Sequence, residues 1–438
     1  MSSDILIIGA GPSGLAAAAA AAESGAQIDI IDDNFLSGGQ IWRGGAQSQT
    51  DARAQALWQK LNNCDHVRFH FQSKVIHASR TADMYEIVVE TQGITSAQIF
   101  SAKKIILCTG ARELLLPFPG WTLAGVTGAG GAQALAKAGY PVAGKRVIVA
   151  GTGPLLLAVA ASLIERGALV THIVEQAKFS KLSLFAFGLL ATPSKITQAF
   201  KLSRVLKNTV YHADSYVLAA HGESQINTVR VAIQDEIQEL DCDLLACGYG
   251  LIPNVELAAA FGCQLNDQNG YQTVTVDEWQ ASSQVGVYCA GEGTGIGGVD
   301  LALAEGSIAG YAASNKATQA EHYFSERKSW RGFATRLHDA FVLRSELRQL
   351  CNSDIDTIVC RCEDVSYAQL QKHSDWRDAK LHTRCGMGAC QGRICGSANR
   401  FLFSWEKDVG RLPISTAKIA SLQILNAHNH SSNKSDQA

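Results

Sequence analysis

The stretch from Asp4 to Asp33, DILIIGAGPSGLAAAAAAAESGAQIDIIDD, leaves few folds open to this chain. Ile5 to Ile8 form a short apolar run typical of a buried parallel strand, and Gly9, Gly11 and Gly14 follow it with the spacing G-x-G-x-x-G. Pro12 and Ser13 lead into an alanine-rich helix. The start of such a helix points bare backbone N–H groups and the positive end of its dipole at the loop, so a pyrophosphate can sit there without a lysine. Gly9 suits the tight turn, Gly11 lets phosphates approach the backbone, and Gly14 lets the helix pack on the strand. A second strand, Gln27 to Ile31, runs into Asp32 and Asp33. A carboxylate at that point can accept both hydroxyls of an adenosine ribose, and it argues against a 2′-phosphate. The expectation is a dinucleotide site built from Gly9, Gly11, Pro12, Ser13, Gly14, Asp32 and Asp33.

A motif beginning at residue 4 leaves no room for a signal peptide, and no later run reaches the roughly 18 apolar residues of a membrane span. A soluble, cytoplasmic protein is expected. At 438 residues the chain suggests about three domains. Its net charge of −2 offers no basic footprint for nucleic acid or an anionic membrane. Twelve cysteines without a secretion signal read as thiols or metal ligands rather than a disulfide framework, and five of them, Cys360, Cys362, Cys385, Cys390 and Cys395, crowd into one short segment.

After Asp32 the sequence runs DNFLSGGQIWRGG, which resembles the loop that lies along the cofactor toward the isoalloxazine in related flavoproteins; the resemblance puts Gly39, Gln40 and Arg43 there. From Val67 to Phe100 alternating residues suggest small strands. KIILCTG, Lys104 to Gly110, is another buried strand, and Thr109, Gly110 and Ala111 resemble the Ala-Thr-Gly motif of two-dinucleotide-domain flavoproteins. From Arg146 the chain repeats its opening design with Gly151, Gly153 and then Glu175, but Leu156 replaces the third glycine. Two readings stand for this unit: a bound adenine nucleotide, NAD or ATP, or a degenerate structural repeat. Phe179 to Phe200, apolar and aromatic, reads as core helix, with a partner-facing helix as the other reading. Cys242 and Cys247 straddle a strand, which speaks against a disulfide-reductase mechanism. GVYCAGEG, Gly286 to Gly293, resembles a third flavin motif, whose Gly291 and Glu292 would meet the ribitol, although Asp is the usual acid; Asp300 then opens a helix whose start would stabilise negative charge at the ring. Beyond Ser314 a charged, helical connector follows, with Phe333, Leu337 and Phe341 at packing positions.

The cysteine-rich segment, residues 358–396, opens with Cys360-x-Cys362 and ends in a cluster around Cys390. Four converging thiolates can hold a [2Fe-2S] cluster or zinc, and an empty thiol cluster is the third reading. The segment resembles the small helical bacterioferritin-associated-ferredoxin-like module, in which GMGxCQGxxC supplies the second pair; the resemblance implies Cys360, Cys362, Cys390 and Cys395 as ligands, with Cys385 an extra thiol.

The order of these motifs over about residues 1 to 400 resembles the larger flavoprotein subunit of the opine oxidases and the matching subunits of hydrogen cyanide synthase, hydroxyproline and proline dehydrogenases and heterotetrameric sarcosine oxidase. The resemblance implies an α/β fold with two dinucleotide-binding Rossmann-like domains and a small helical [2Fe-2S] module. It also implies FAD, an FMN at the subunit interface as a further candidate, and a second flavoprotein (beta/B) subunit that oxidises the carbon–nitrogen bond of an amine or amino acid while this chain relays electrons. The other functional reading is a self-sufficient NADH-dependent reductase. No catalytic residue is assigned, since no His or Tyr base stands beside a flavin motif. The expected boundaries are 1–118 with 277–318 for the FAD domain, 119–276 for the second nucleotide-type domain, 319–354 for the connector, 355–415 for the iron–sulfur module and 416–438 for a tail.

Overall fold

The computed structural model describes residues 1–81, 83–234, 236–268, 270–406 and 412–424. The described residues form two compact units, one within 1–111, 253–331 and 412–424, the other within 112–252 and 332–406.

In the first unit the strand Ser2–Ile8 pairs in parallel with Ile28–Ile31 on one side and with the end of Gln98–Leu107 on the other. Val67–His70 and Val287–Cys289 add further parallel strands. Ile8 is in register with both Ile31 and Leu107, and Leu107 with Cys289. The residues that come next, Gly9, Asp32, Cys108 and Ala290, therefore meet at one carboxyl edge of the sheet, the place where ligands bind in open α/β folds. The alternating segment forms the antiparallel strands Ser73–Thr81 and Met84–Thr91, the second of which pairs with the first half of Gln98–Leu107.

The alanine-rich helix spans Pro12–Ala22 and is almost wholly buried. Its neighbour, Val299–Ala313, approaches it through Gly306 and Gly310, one helical turn apart. A Cβ on either would lie 2.2 Å from a carbonyl oxygen, of Ser13 or Ala17 respectively, so the two backbones touch where side chains would normally separate them. Gly310→Leu should therefore lower stability by about 3 kcal/mol and the melting temperature by roughly 8 °C for a body of this size. Calorimetry showing an unchanged transition would contradict this close crossing.

The segment 253–276, expected with the second domain, packs in the first unit, because Val255, Leu257, Ala258, Cys263 and Val274 share a core with Leu6, Ile8 and Leu107. Conversely, Leu114, Leu116 and Phe118 sit in the second unit's core with Trp121 and Ile148. The chain end also differs from the expected boundary at 415. Ile414 N–H donates to the Ile76 carbonyl at 2.9 Å and Lys74 reaches the Thr416 carbonyl at 2.5 Å, so 412–424 lies along the first unit. The rest of the expected tail, from 425 on, lies outside the described residues.

The second unit holds five parallel strands in the order Val210–His212, Leu169–Glu175, Arg146–Gly151, Leu244–Gly248, Val126–Gly128. The helix Leu155–Ile164 follows the second glycine loop, and Leu156 is buried against it among Val147, Val149 and Ile173. The expectation of a core helix at Phe179 to Phe200 is corrected here. Two helices form, Phe179–Gly188 and Pro193–Val205, and neither contains a buried residue. Half-buried Phe185 anchors the first, its ring 5.3 Å from that of Phe341 and 6.0 Å from that of Phe333. The cysteine-rich segment folds as the strand Ile358–Cys360 with helices Trp376–Thr383 and Cys395–Phe403 around a core of Val359, Leu370, Trp376, Cys385 and Cys395.

Candidate functional site

At the edge of the first sheet, Gly11 stands just ahead of the helix Pro12–Ala22 and no side chain caps the helix start. Gly14 must be glycine, since a Cβ there would fall 1.8 Å from the Gly9 carbonyl oxygen. Gly11 differs: a Cβ would meet nothing nearer than the Gly39 Cα at 3.9 Å. The loop therefore leaves room in front of unspent N–H groups, which is what a pyrophosphate requires. Ser13, behind the loop, donates to the Cys108 thiol at 3.4 Å.

Asp32 is buried and braces this loop. One carboxylate oxygen accepts the Ala10 N–H at 2.6 Å; the other accepts the Asn34 backbone and side-chain N–H groups at 2.8 and 2.7 Å. Asp33 points outward and accepts from the Asn34 amide at 3.2 Å. The loop carrying Gly39, Gln40 and Arg43 folds over the first one, with Gly38 N–H donating to the Ala10 carbonyl at 2.7 Å. Arg43 donates to Gln40 at 2.5 Å, yet its Nε is buried and, among the described residues, has no hydrogen-bond partner. An orphaned guanidinium nitrogen carried by the loop that folds over an open glycine cradle fits an anionic dinucleotide.

Thr109 and Gly110 are tied to Asn254: the Thr109 hydroxyl donates to the Asn254 carbonyl at 2.6 Å, and the Asn254 N–H donates to the Gly110 carbonyl at 3.0 Å. Ala111 begins the short strand that follows. Gly291 N–H donates to Glu305 at 3.1 Å. Glu292, the acid expected at the ribitol, is itself engaged by backbone N–H groups. Its carboxylate reaches the start of the next helix and accepts from Gly297 and Gly298 at 3.2 and 3.0 Å, a reach that the extra methylene over Asp allows; burial raises its pKa to about 7. Asp300, in the first turn of that helix, pairs with Arg53 at 2.6 Å, and Arg53 also grips Asp51 at 2.7 Å.

Two residues that sequence reasoning passes over hold this edge together. Buried Glu305 accepts from Gly291, from the Thr294 hydroxyl at 2.7 Å and from Arg331 at 2.9 Å. A lone acid inside LALAEGSIAG is the signal available for it. Asn254 has none, since its partners are far away in sequence.

In the second unit Glu175 is buried with its carboxylate filled: Thr152 donates at 3.0 Å, Gly153 N–H at 2.7 Å and Ala177 N–H at 2.9 Å, and burial raises its pKa to about 7. Gly151 ends the central strand beneath it. Gln176 donates to Thr152 at 2.9 Å and to the Val342 carbonyl at 3.2 Å and accepts from Arg344 N–H at 3.0 Å, so the connector is stitched to the loop side of this sheet.

The thiols gather as a chain. The sulfurs of Cys360, Cys385 and Cys395 all lie within 4.8 Å of one another, in the interior. Cys390 bonds to Cys395 and to exposed Cys362. Hydrogen bonds from Cys385 and then Cys395 hold the Cys360 thiol down to about 2, and Cys395 does the same for Cys390, at about 5. Sulfurs that share protons in this way fit a metal or iron–sulfur centre that would replace those protons. Of the four ligands expected from sequence, Cys360 and Cys395 share this interior group with Cys385, the thiol expected beside them, whereas Cys390 and exposed Cys362 continue the chain from Cys395.

This fold and its first loop define a class. Residues 3–308 match the model of the pyridine nucleotide-disulphide oxidoreductases, a family whose members bind FAD, and the chain belongs to it. Within that class it is 30% identical over 465 residues to the A subunit of opine oxidase from Agrobacterium tumefaciens, covering 95% of this chain and 89% of the relative. It is 31% identical over 433 residues to the HcnB subunit of hydrogen cyanide synthase from Pseudomonas protegens, covering 90% of each. The chain is an oxidoreductase of that flavoprotein group. In fold it is similar to L-proline dehydrogenase from P. horikoshii, with a TM-score of 0.72 at 18% identity over 96% of this chain and 79% of that one. Among the described residues no helix is long and apolar enough to cross a membrane.

Proposed function

We propose that this chain is the electron-relay subunit of a hetero-oligomeric amine or amino-acid dehydrogenase or oxidase, and that a partner flavoprotein oxidises the carbon–nitrogen bond. The observation that carries this reading is the pairing, in one chain, of an open dinucleotide cradle with a buried thiol cluster; among the described residues no His or Tyr base is assigned at the cradle to take a proton from an amine. Two relatives named as single subunits of larger enzymes support it. FAD would supply two-electron acceptance with one-electron release, and a [2Fe-2S] cluster one-electron transfer.

The protein's own part is to hold and orient. The N–H groups at Gly11 to Gly14 take the pyrophosphate, Asp32 takes the ribose, Arg43 supplies positive charge, and the start of the helix Val299–Ala313 stabilises negative charge near the ring. Cys360, Cys362, Cys390 and Cys395 hold the iron. An FMN between the subunits belongs to the same proposal. The second loop is read as a structural repeat: Leu156 occupies the position of the third glycine and is buried in the core there, so neither NAD nor ATP is assigned to it.

The test mixes the purified chain with opines, sarcosine, proline, hydroxyproline and glycine without oxygen and follows flavin absorbance. Bleaching is expected only when the partner is added. Bleaching by an amine without the partner would place catalysis in this chain, and rapid bleaching by NADH would favour a self-sufficient reductase.

A further inference from the structure

We infer that the helices Phe179–Gly188 and Pro193–Val205 form a docking surface for an anionic lipid bilayer. At 100° per residue, half-buried Leu182, Phe185 and Leu189 fall on one side of the first helix and its turn, while Phe179, Leu184, Phe187 and Leu190 project from the other. These four and Phe200 of the second helix are 58–73% exposed, an outward apolar face that a solvated helix does not carry.

Charge says what covers it. None of the chain's 40 acidic residues falls between 176 and 213, whereas six cations do: Lys178, Lys181, Lys195, Lys201, Arg204 and Lys207. The net charge of −2 hides this segregation. The Arg204 guanidinium lies over the Phe200 ring, 4.5 Å from its centroid, which sets a cation beside an apolar tip. Exposed apolar side chains on a segment that carries cations and no acid match an interface in which acyl chains lie beneath phosphates. A protein partner would have to supply an apolar surface and acids in matching register, whereas an anionic bilayer presents both everywhere. With 10 and 13 residues, the helices reach only about 15 and 20 Å, too short for a bilayer core of about 30 Å, so they would lie in the interface and not span it.

The flavin-loaded chain, alone and with its partner subunit, is sedimented with vesicles of phosphatidylcholine or of phosphatidylcholine with about one-third phosphatidylglycerol. Binding is expected only to the anionic vesicles, and should weaken about tenfold between roughly 0.1 and 0.5 M salt. Phe179→Ser with Phe187→Ser, and separately Lys181→Glu with Lys201→Glu, should each reduce binding about tenfold while flavin content and melting temperature stay unchanged. Absence of binding to anionic vesicles, or variants that bind like the parent, overturns the proposal. So does a chain that binds alone but not in the complex, or variants that lose a dimer or the partner instead, since the surface would then be a protein interface.

Discussion

Gly11→Val should give a folded protein that no longer holds flavin. The backbone at Gly11 is extended, with φ −74° and ψ −175°, which a β-branched residue adopts readily, and a Cβ there meets nothing closer than 3.9 Å. The protein itself therefore tolerates the side chain. The valine methyl groups would occupy the space in front of the helix start, where a pyrophosphate has to approach the N–H groups. We expect FAD affinity to fall at least about a hundredfold, equivalent to about 2.7 kcal/mol, with the apoprotein melting within about 2 °C of the parent. Titration of the stripped protein with FAD measures the first quantity and calorimetry the second. A variant purified with one FAD per chain would mean that the cofactor lies elsewhere. Gly14→Ala is the contrasting case: its Cβ collides with the Gly9 carbonyl oxygen, so folding fails along with binding.

The thiol variants carry the other large effect. Cys360→Ser, Cys362→Ser, Cys390→Ser and Cys395→Ser should each remove nearly all of the paramagnetic signal of the reduced protein, because a [2Fe-2S] cluster with three thiolates is easily lost. Cys385→Ser should keep the signal with a shifted spectrum, since this sulfur lies within 4.8 Å of two of the proposed ligands and accepts from the Asn399 amide at 3.4 Å. The measurement is electron paramagnetic resonance with an iron count. Retention of the signal in Cys362→Ser together with its loss in Cys385→Ser would move the fourth ligand from exposed Cys362 to buried Cys385.

Where function rests on local spacing, the sequence is readable. The strand, glycine loop and acid of Asp4 to Asp33 lie within one βαβ turn of chain, so their geometry follows from their order, and the structure sets Asp32 against Ala10 at 2.6 Å. Where function rests on distant partners, it is not. Asn254 binds Thr109, and Glu305 binds Gly291 and Arg331, through contacts that no periodicity reports. The helices from Phe179 to Val205 mislead for another reason: the first carries apolar residues on its outward as well as its inward side, so its pattern gives no phase to say which side is inward, and apolar content alone suggests the core. The boundary at 276 slips because Val255 and Val274 share a core with Leu6, Ile8 and Leu107, which lie more than a hundred residues earlier. The contacts of Glu292 with Gly297 and Gly298 are likewise set by the turn that follows it, which the motif does not describe.

The crossing at Gly306 and Gly310 has a mechanical meaning. Because the backbone of one helix rests on the carbonyls of Ser13 and Ala17 in the other, no layer of side chains is left to act as a lubricant between them. The start of the first helix and the start of the second are thus the two jaws of a single clamp with a fixed gap. An extended ligand gripped by both does not have to freeze a relative motion of its two binding ends, because that motion is already absent from the empty protein.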